Sequence, residues 1–392
     1  MIYTEFSSER LSALGFGAMR LPTLAGGAID EAQVAEMVDY ALNHGVNYFD
    51  TAYPYHGGLS EIVMGRVLSA YPRDSYHLAT KYPGHQISSS YDPAAVFEEQ
   101  LKKCGVEYFD FYLLHNVYEN SLQTYLDPRW GILDYFREQK RLGRIRHLGF
   151  SSHGRLDCLR AFLDAAGADM EFCQIQLNWL DWTLQDARSK VALLNERGLP
   201  IWVMEPVRGG RLCRLDEKAE AALRALRPDE SIPAWSFRFL QGIPGVTMVL
   251  SGMSDMRQLR ENVQTFADSR PLNERELDAL LSVAEGMKNA VPCTGCRYCT
   301  DHCPMGLDIP LMMATCSELR FAPSVNIAMR LEGLPAAKQP SACMGCGACA
   351  QMCPQCINIP GVMAELADAL SRLPRWADLC RQREEAAKKL RG

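Results

Sequence analysis

The sequence predicts an α/β protein: a (β/α)₈ barrel of the TIM type, followed by a small α+β domain built around cysteines. Two observations predict this arrangement. Short β-branched or aromatic runs alternate with helical segments eight times within the first 285 residues, which is the repeat of such a barrel. Two cysteine runs of identical spacing then follow in the last hundred residues.

The eight strand candidates each end near a polar residue that precedes a segment of helical periodicity. They are LGFGAM (14–19), VNYFD (46–50), YHLATK (76–81), FDFYLLH (109–115), HLGFSS (147–152), FCQIQLN (172–178), PIWVME (200–205) and TMVLSG (247–252). Residues 30–45 place apolar side chains on one face of a helix that Gly45 ends. A doubly wound open sheet is the alternative, but no G-x-G-x-x-G fingerprint follows a strand, because LGFGAM lacks a third glycine.

The composition is that of a soluble globular protein, with 47% apolar and 22% charged residues in a chain of 392. Acidic and basic residues are interspersed and the net charge is -6, so we expect no nucleic-acid partner. The N-terminus lacks a basic segment followed by an apolar one, and no window reaches about 18 consecutive apolar residues. We therefore expect a cytoplasmic protein without a membrane span.

Eight of the fifteen cysteines form two runs of one spacing, CTGCRYCTDHCP and CMGCGACAQMCP. This is the pattern of bacterial ferredoxins with two [4Fe-4S] clusters, in which the fourth cysteine of each run ligates the other cluster. Three thiolates on a tight loop reach three corners of a cube, while the fourth corner points away from that loop. The sequence therefore predicts a ferredoxin-like domain with one cluster on Cys293, Cys296, Cys299 and Cys353, and another on Cys343, Cys346, Cys349 and Cys303.

Structural zinc is the alternative for these runs, because CxxC pairs also build tetrahedral sulfur sites. Two matching four-cysteine runs that both end in proline favour the clusters. Small residues at Gly295, Gly345 and Gly347 would let each loop wrap with its N–H groups toward the sulfurs. The other seven cysteines, at 104, 158, 173, 213, 316, 356 and 380, lack such spacing and are expected to be small buried hydrophobes.

Polar residues stand at the ends of six strand candidates: Asp50, Lys81, His115, Ser151, Gln174 and Glu205. In a barrel these ends share one face, where catalytic groups lie, although each residue alone could be a loop residue or a satisfied core group. Tyr55 follows closely after Asp50. A tyrosine can protonate a carbonyl oxygen if its pKa of about 10 is lowered by an ammonium, here Lys81, which Asp50 would hold in place. His115 would orient the carbonyl.

On these residues, the segment from 10 to about 265 resembles the aldo/keto reductase family, whose Asp, Tyr, Lys and His tetrad falls on Asp50, Tyr55, Lys81 and His115. The similarity continues through GGLSE, GFSS, QIQLN and GMSDMRQLRENV. The complete chain resembles the branch of that family with a C-terminal two-cluster ferredoxin-like domain.

The resemblance implies a carbonyl-type substrate and NADP or NAD as cofactor. Ser151 and Gln174 would bind the nicotinamide carboxamide, and residues 206–212 would line the pyrophosphate. Glu261 and Asn262 would hold the adenine. The implied cofactor contacts are Gly17, Met19, Ser151, Ser152, Gln174, Met204, Pro206, Val207, Gly209, Gly210, Leu212, Ser251, Gly252, Ser254, Gln258, Glu261 and Asn262.

Three positions depart from the family pattern. Ser152 replaces an asparagine and reaches less far, and Met204 replaces an aromatic residue that stacks on the nicotinamide, with Trp202 two positions earlier. Glu205 replaces a small hydroxyl, and its carboxylate would repel a phosphate. The basic residues that hold the 2′-phosphate of NADP are matched only loosely, by Arg257 and Arg260. A flavin such as FMN, which passes one or two electrons, is an alternative cofactor that would link hydride chemistry to the clusters.

Three functions remain open from the sequence. The first is a carbonyl reductase with structural or auxiliary clusters, which the complete tetrad favours. The second is an electron-transfer oxidoreductase fed by ferredoxin or another redox protein, which two clusters with crossed ligation favour. The third is an electron carrier with a vestigial barrel, against which the retained tetrad argues.

The expected boundaries are 1–285 for the barrel, 286–362 for the cluster domain and 363–392 for a C-terminal helix. Residues 273–290 would lead into the first cysteine run as a helix, and LDIPLMMATCSELRFA would add another helix between the runs. The amphipathic tail is expected to pack back on the protein or to mediate a homodimer.

Overall fold

A computed structural model describes residues 1–287, 291, 293, 295, 297, 299–321, 323–353 and 355–391. These residues form two compact units. Unit 1 comprises Met1–Leu281 with Ala386–Gly392, and unit 2 comprises Ser282–Glu385. None of the helices among the described residues has the length and apolar content needed to cross a membrane.

The described residues of unit 1 form ten strands. They are β1 (Tyr3–Phe6), β2 (Glu9–Ser12), β3 (Leu14–Gly17), β4 (Tyr48–Asp50), β5 (His77–Tyr82), β6 (Phe109–Leu114), β7 (Ile145–Ser152), β8 (Cys173–Gln176), β9 (Ile201–Met204) and β10 (Val246–Ser251). Strands β3 to β10 are parallel to their neighbours and close into a barrel in chain order, with β10 beside β3. All eight predicted strands are confirmed, and the closed barrel excludes the open sheet.

Helices follow the barrel strands, and the last two come after β10. In unit 1 they are α1 (Glu31–Asn43), α2 (Ser60–Leu68), α3 (Pro93–Cys104), α4 (Leu122–Leu126), α5 (Ile132–Arg141), α6 (Leu156–Ala166), α7 (Asp181–Leu184), α8 (Ala187–Glu196), α9 (Glu217–Arg224), α10 (Ile232–Gln241), α11 (Met256–Thr265) and α12 (Glu274–Met287), the last of which continues into unit 2. Side-chain caps begin several of them: Asp30 accepts from the N–H of Gln33, and Asp92 from that of Ala95. Gly105 ends α3 in the left-handed region.

An N-terminal hairpin that the sequence reading missed covers the bottom of the barrel. Strands β1 and β2 pair antiparallel, and Phe6 at their turn packs its ring against Phe111, Phe172 and Trp202, with centroids 5.7, 6.1 and 5.0 Å away. These rings belong to one buried cluster inside the barrel. The N-terminal end is therefore closed by aromatic packing, which leaves the opposite end for chemistry.

The described regular elements of unit 2 downstream of α12 are helices. They are α13 (Ile309–Phe321), α14 (Val325–Glu332), α15 (Ala348–Gln351), α16 (Ile359–Ser371) and α17 (Trp376–Arg391), whose last residues belong to unit 1. The predicted helix between the cysteine runs is confirmed as α13, which packs on α16. The core of this unit includes Leu307, Met312, Met313, Met363 and Leu366. The tail forms two helices because Pro374 lies between α16 and α17.

Candidate active site and cluster cavities

Two cavities in unit 2 are lined by cysteines from both runs. The first has Cys293 and Cys299 of the first run together with Cys353 of the second on its wall. The second has three cysteines of the second run and one of the first: Cys343, Cys346, Cys349 and Cys303. The described cysteines are thus grouped two plus one in the first cavity and three plus one in the second, as the crossed pattern predicts. Cys296, the remaining predicted ligand, lies outside the described residues.

The loops around these cavities have the shape that wrapping requires. Gly295, Gly345 and Gly347 have φ values of 70, 71 and 77°, in the left-handed region that favours glycine. The N–H of Leu307 donates to Cys303 Sγ over 3.5 Å. Burial raises the pKa of the Cys349 thiol, and the neighbouring thiols of Cys303 and Cys343 raise it further. The sulfurs are therefore close enough to share one electrostatic environment.

The two cavities differ in their surroundings. Apolar side chains from α13 and the segment before α16 line the first, namely Ile309, Pro310, Met313, Ile357 and Ile359. The second includes the exposed Met344 and Cys346. Of the seven cysteines outside the runs, 104, 158, 173, 316 and 380 are buried as expected, 213 is half-buried, and 356 is exposed, contrary to expectation.

At the C-terminal end of the barrel, Lys81 joins Asp50 and Tyr55. Lys81 Nζ lies 2.5 Å from Asp50 Oδ1 and 3.4 Å from the Tyr55 hydroxyl, and it also donates to the Thr51 carbonyl over 2.8 Å. The parallel pairing of β4 with β5, which sets Asp50 opposite Ala79, brings the side chains together. Lys81 is fully buried and Asp50 is 3% exposed, so the ammonium has three partners and almost no water.

Burial decides the electrostatics of this group. It would lower the pKa of Lys81, but Asp50 and Tyr55 raise it above its ordinary value, so an ammonium persists at neutral pH. The expected net lowering of the Tyr55 pKa is not found. Burial raises the pKa of Tyr55, and the opposing effect of Lys81 is the smaller one. The phenol therefore keeps its proton throughout the neutral range.

His115 follows β6 and faces Tyr55 across the barrel mouth. Their rings meet edge-on, with centroids 5.8 Å apart and an interplanar angle of 84°. The Tyr125 hydroxyl lies 2.6 Å from the His115 carbonyl. A second imidazole, that of His85, lies 4.3 Å from the ring of His115. The sequence reading missed His85 because it stopped at the strand end, four residues earlier.

Ser151 and Gln174 lie side by side, because β7 and β8 pair them in register. The Gln174 Oε1 atom is buried and has no hydrogen-bond partner among the described residues. Ser151 Oγ accepts from the N–H of Asn116, which leaves its own hydrogen to donate. The pair thus presents one acceptor and one donor to a ligand.

Ser152 is committed elsewhere. Its hydroxyl donates to the Val117 carbonyl over 2.7 Å and accepts from the N–H of Gly154 over 3.1 Å. Both hydroxyls of the Ser151–Ser152 pair therefore bind the loop that directly follows His115. The implied direct contact of Ser152 with a carboxamide has no support in this geometry.

The residues after β9 form a charged cluster. Glu205 has a φ of 54°, and the Arg208 Nε atom lies 3.1 Å from the buried Asp181 carboxylate. Burial raises the pKa of the Glu205 carboxyl, and Asp181 raises it further, while Arg208 and Arg20 oppose them. Trp202 is fully buried against Phe6 and cannot take the stacking position left by Met204.

The other implied cofactor residues lie along the rim from β3 through β10 to α11. Leu212 is fully buried, whereas Met19 is 56% exposed. Further described contacts occupy the polar members: Arg257 Nη1 lies 3.0 Å from Glu261 Oε1, Asn262 donates to Ser251 Oγ, and Ser254 N–H donates to Gln258 Oε1. Gly17, Pro206, Val207, Gly209, Gly210 and Gly252 contribute backbone to the same rim.

Comparison with known proteins matches both units. Residues 13–285 match the model of the aldo/keto reductase family, and residues 286–354 match that of a 4Fe-4S dicluster domain. The chain is 27% identical over 304 residues to the uncharacterized oxidoreductase YqkF of Bacillus subtilis, covering 69% of this chain and 92% of the relative. It is 26% identical over 309 residues to L-galactose dehydrogenase of Arabidopsis thaliana, covering 71% and 92%.

A solved structure shows the same barrel. The aldo-keto reductase AKR11C1 of Bacillus halodurans, in its holo form, superposes with a TM-score of 0.58 at 26% identity, over 72% of this chain and 96% of that protein.

Proposed function

Because the chain belongs to the aldo/keto reductase family, we propose that this oxidoreductase reduces a small carbonyl compound at the barrel mouth with Tyr55 as the proton donor. The observation that carries the proposal is the position of Lys81, whose ammonium touches both Asp50 and the Tyr55 hydroxyl. A tyrosine proton can reach a carbonyl oxygen only if the phenol stays protonated and the resulting phenolate is stabilised. Burial supplies the first condition and the ammonium supplies the second.

We propose a nicotinamide dinucleotide as the hydride source, since such a cofactor delivers hydride directly to a carbonyl carbon. The buried and unpartnered Gln174 Oε1 atom suits the N–H of a carboxamide, and the free hydrogen of Ser151 suits its oxygen. The charges of Arg208 and Arg20 act on Glu205 and oppose the rise in its carboxyl pKa, and these two cations weaken its repulsion of a pyrophosphate. The chain's own residues thus fit this ligand.

The choice between NADP and NAD depends on α11. Arg257 is paired with Glu261, and the Arg260 guanidinium lies 5.5 Å from the ring centre of Tyr40. Asp255, which caps the helix, would face a 2′-phosphate with like charge. Both nucleotides therefore belong in the assay.

The test is anaerobic turnover of aldehydes and quinones with NADPH or NADH. We expect Tyr55→Phe to lower kcat by about 10²–10⁴-fold, the usual contribution of a general acid. Tyr53→Phe is the matched control, because the Tyr53 hydroxyl donates to Glu99 instead. Equal kcat values for the wild type and Tyr55→Phe would refute the proposal.

We further propose that the eight cysteines hold two [4Fe-4S] clusters in the crossed arrangement. Support comes from the two cavities. Each is lined by the described members of the first three cysteines of one run and by the fourth cysteine of the other run. Such clusters pass single electrons. Shared ligation brings the two sets close together, which suits an electron relay.

The second candidate function follows from that relay: reduced ferredoxin or another redox protein feeds the clusters, and the barrel reduces an organic substrate. Anaerobic assays with reduced ferredoxin, with and without nicotinamide nucleotide, separate the two functions. Turnover that needs the nucleotide and survives cluster removal supports the first and refutes the second.

Binding of FMN and formation of a homodimer stay predictions. Flavin absorbance after iron removal tests the first, and light scattering tests the second.

A further inference from the structure

The ring of His115 contacts two aromatic neighbours. Tyr55 meets it edge-on at 5.8 Å, and His85 lies closer, at 4.3 Å with an interplanar angle of 55°. His85 is only 4% exposed. The imidazole of His85 is therefore part of the inner wall of the mouth, in direct contact with a member of the tetrad.

A single tyrosine of α4 contacts the backbone near both histidines. The Tyr125 hydroxyl lies 2.6 Å from the His115 carbonyl and 3.2 Å from the Tyr82 carbonyl. Its ring packs so closely on Gly84 that an added Cβ would lie 2.6 Å from Tyr125 Cε1. Tyr125 therefore holds the segment between Tyr82 and His85 in place beside the backbone of His115.

We propose that His85 is a positioning residue for carbonyl reduction: its ring packs on the imidazole of His115 and holds that ring where it orients the substrate carbonyl. The inference rests on the proposed function of the tetrad. The second torsion of a histidine side chain has a broad energy well, so contacts of the ring add a restraint that backbone anchoring does not supply. The ring contacts with His85 and Tyr55 restrict rotation of the His115 ring.

The test compares His85→Ala with His85→Phe, which keeps a ring at the same place. With the best aldehyde of the wild type, we expect His85→Ala to lower kcat by about tenfold or more, since small misplacement of a catalytic group can cost about 100-fold. The dissociation constant for the nucleotide should stay within about twofold, because His85 follows β5, whereas the proposed carboxamide ligands Ser151 and Gln174 lie on β7 and β8. His85→Phe should keep at least about half of kcat. His44→Ala is the matched control, since His44 stacks on Tyr40 outside the site.

Two results would overturn the inference: a kcat of His85→Ala within about twofold of the wild type, or a kcat of His85→Phe as low as that of His85→Ala. A second readout needs no turnover. In histidine-labelled protein, the ring signal of His115, assigned by its loss in His115→Gln, should shift in His85→Ala and stay in place in His44→Ala. If the His115 signal does not move in His85→Ala, the contact itself is contradicted. If the signal moves but the wild type reduces no carbonyl, the proposed function is refuted instead.

Discussion

Two opposing effects set the pKa of Tyr55: burial raises it, and the charge of Lys81 lowers it. Burial is the larger, so the pKa of the phenol lies above its ordinary value of 10.0. The proposed reduction needs the protonated phenol, which is present below that pKa and is lost as the pH rises through it. The acid form therefore persists throughout the neutral range.

We expect kcat/KM for carbonyl reduction to stay within about twofold between about pH 7 and 9, and to fall only above that range. The measurement is a pH profile at saturating nucleotide. A basic limb centred near neutrality would show that Lys81 lowers the pKa of Tyr55 more than burial raises it. The residual rate of Tyr55→Phe should show no such limb.

Site residues could be predicted from the sequence where they stand at the ends of strands. Asp50, Lys81 and His115 end runs of β-branched or aromatic residues, and the closure of the barrel brings these strand ends together. Tyr125 and His85 were not predictable in this way, because their roles arise from contacts between α4, the loop after β5 and the residue after β6. The use of Ser152 is another such case, since a serine in the sequence does not reveal that its hydrogen is committed to Val117.

Among the elements, the N-terminal hairpin shows where periodicity is a weak signal. Strands β1 and β2 have four residues each, too few for alternation to stand out from the flanking loop. The barrel strands were easier to find, because buried parallel strands form apolar runs. The short α15 was missed for the same reason as the hairpin, because it has too few residues for a helical period to stand out. The thirteen residues of α13 were enough to predict that helix.

Phe6→Ala should destabilise the barrel by about 3–5 kcal/mol, because it removes a buried ring from the closed aromatic cluster. The measurement is urea unfolding followed by tryptophan fluorescence. Leu24→Ala is the control at an exposed position and should change the free energy of unfolding by less than about 0.5 kcal/mol. Equal effects of the two substitutions would mean that the hairpin does not close the barrel.

At the scale of the whole molecule, the chain combines a reductase barrel with a domain in which cysteines of two runs, fifty residues apart, line common cavities. The crossed ligation was predicted from spacing, because a short loop cannot supply all four corners of a cubane, and it stays a prediction. The order of elements in unit 1 was equally accessible, since each strand of the barrel lies beside its neighbours in the chain.

Crossed ligation makes a specific prediction for pairs of cysteine variants. Cys299 and Cys353 line one cavity, whereas Cys349 lines the other. The double variant Cys299→Ser/Cys353→Ser should therefore damage one cluster and keep the other intact, while Cys349→Ser/Cys353→Ser should damage both. Iron analysis and electron paramagnetic resonance measure the outcome, with Cys356→Ser as the exposed control. The reverse pattern would show that each run holds its own cluster.

The most direct test of the account is the iron and acid-labile sulfide content of the protein purified and reconstituted without oxygen. Two cubanes hold about eight irons and about eight sulfides per chain, and we predict these values together with little zinc. Tight binding of zinc, with only traces of iron and sulfide, would contradict the claim that this oxidoreductase handles single electrons through paired clusters.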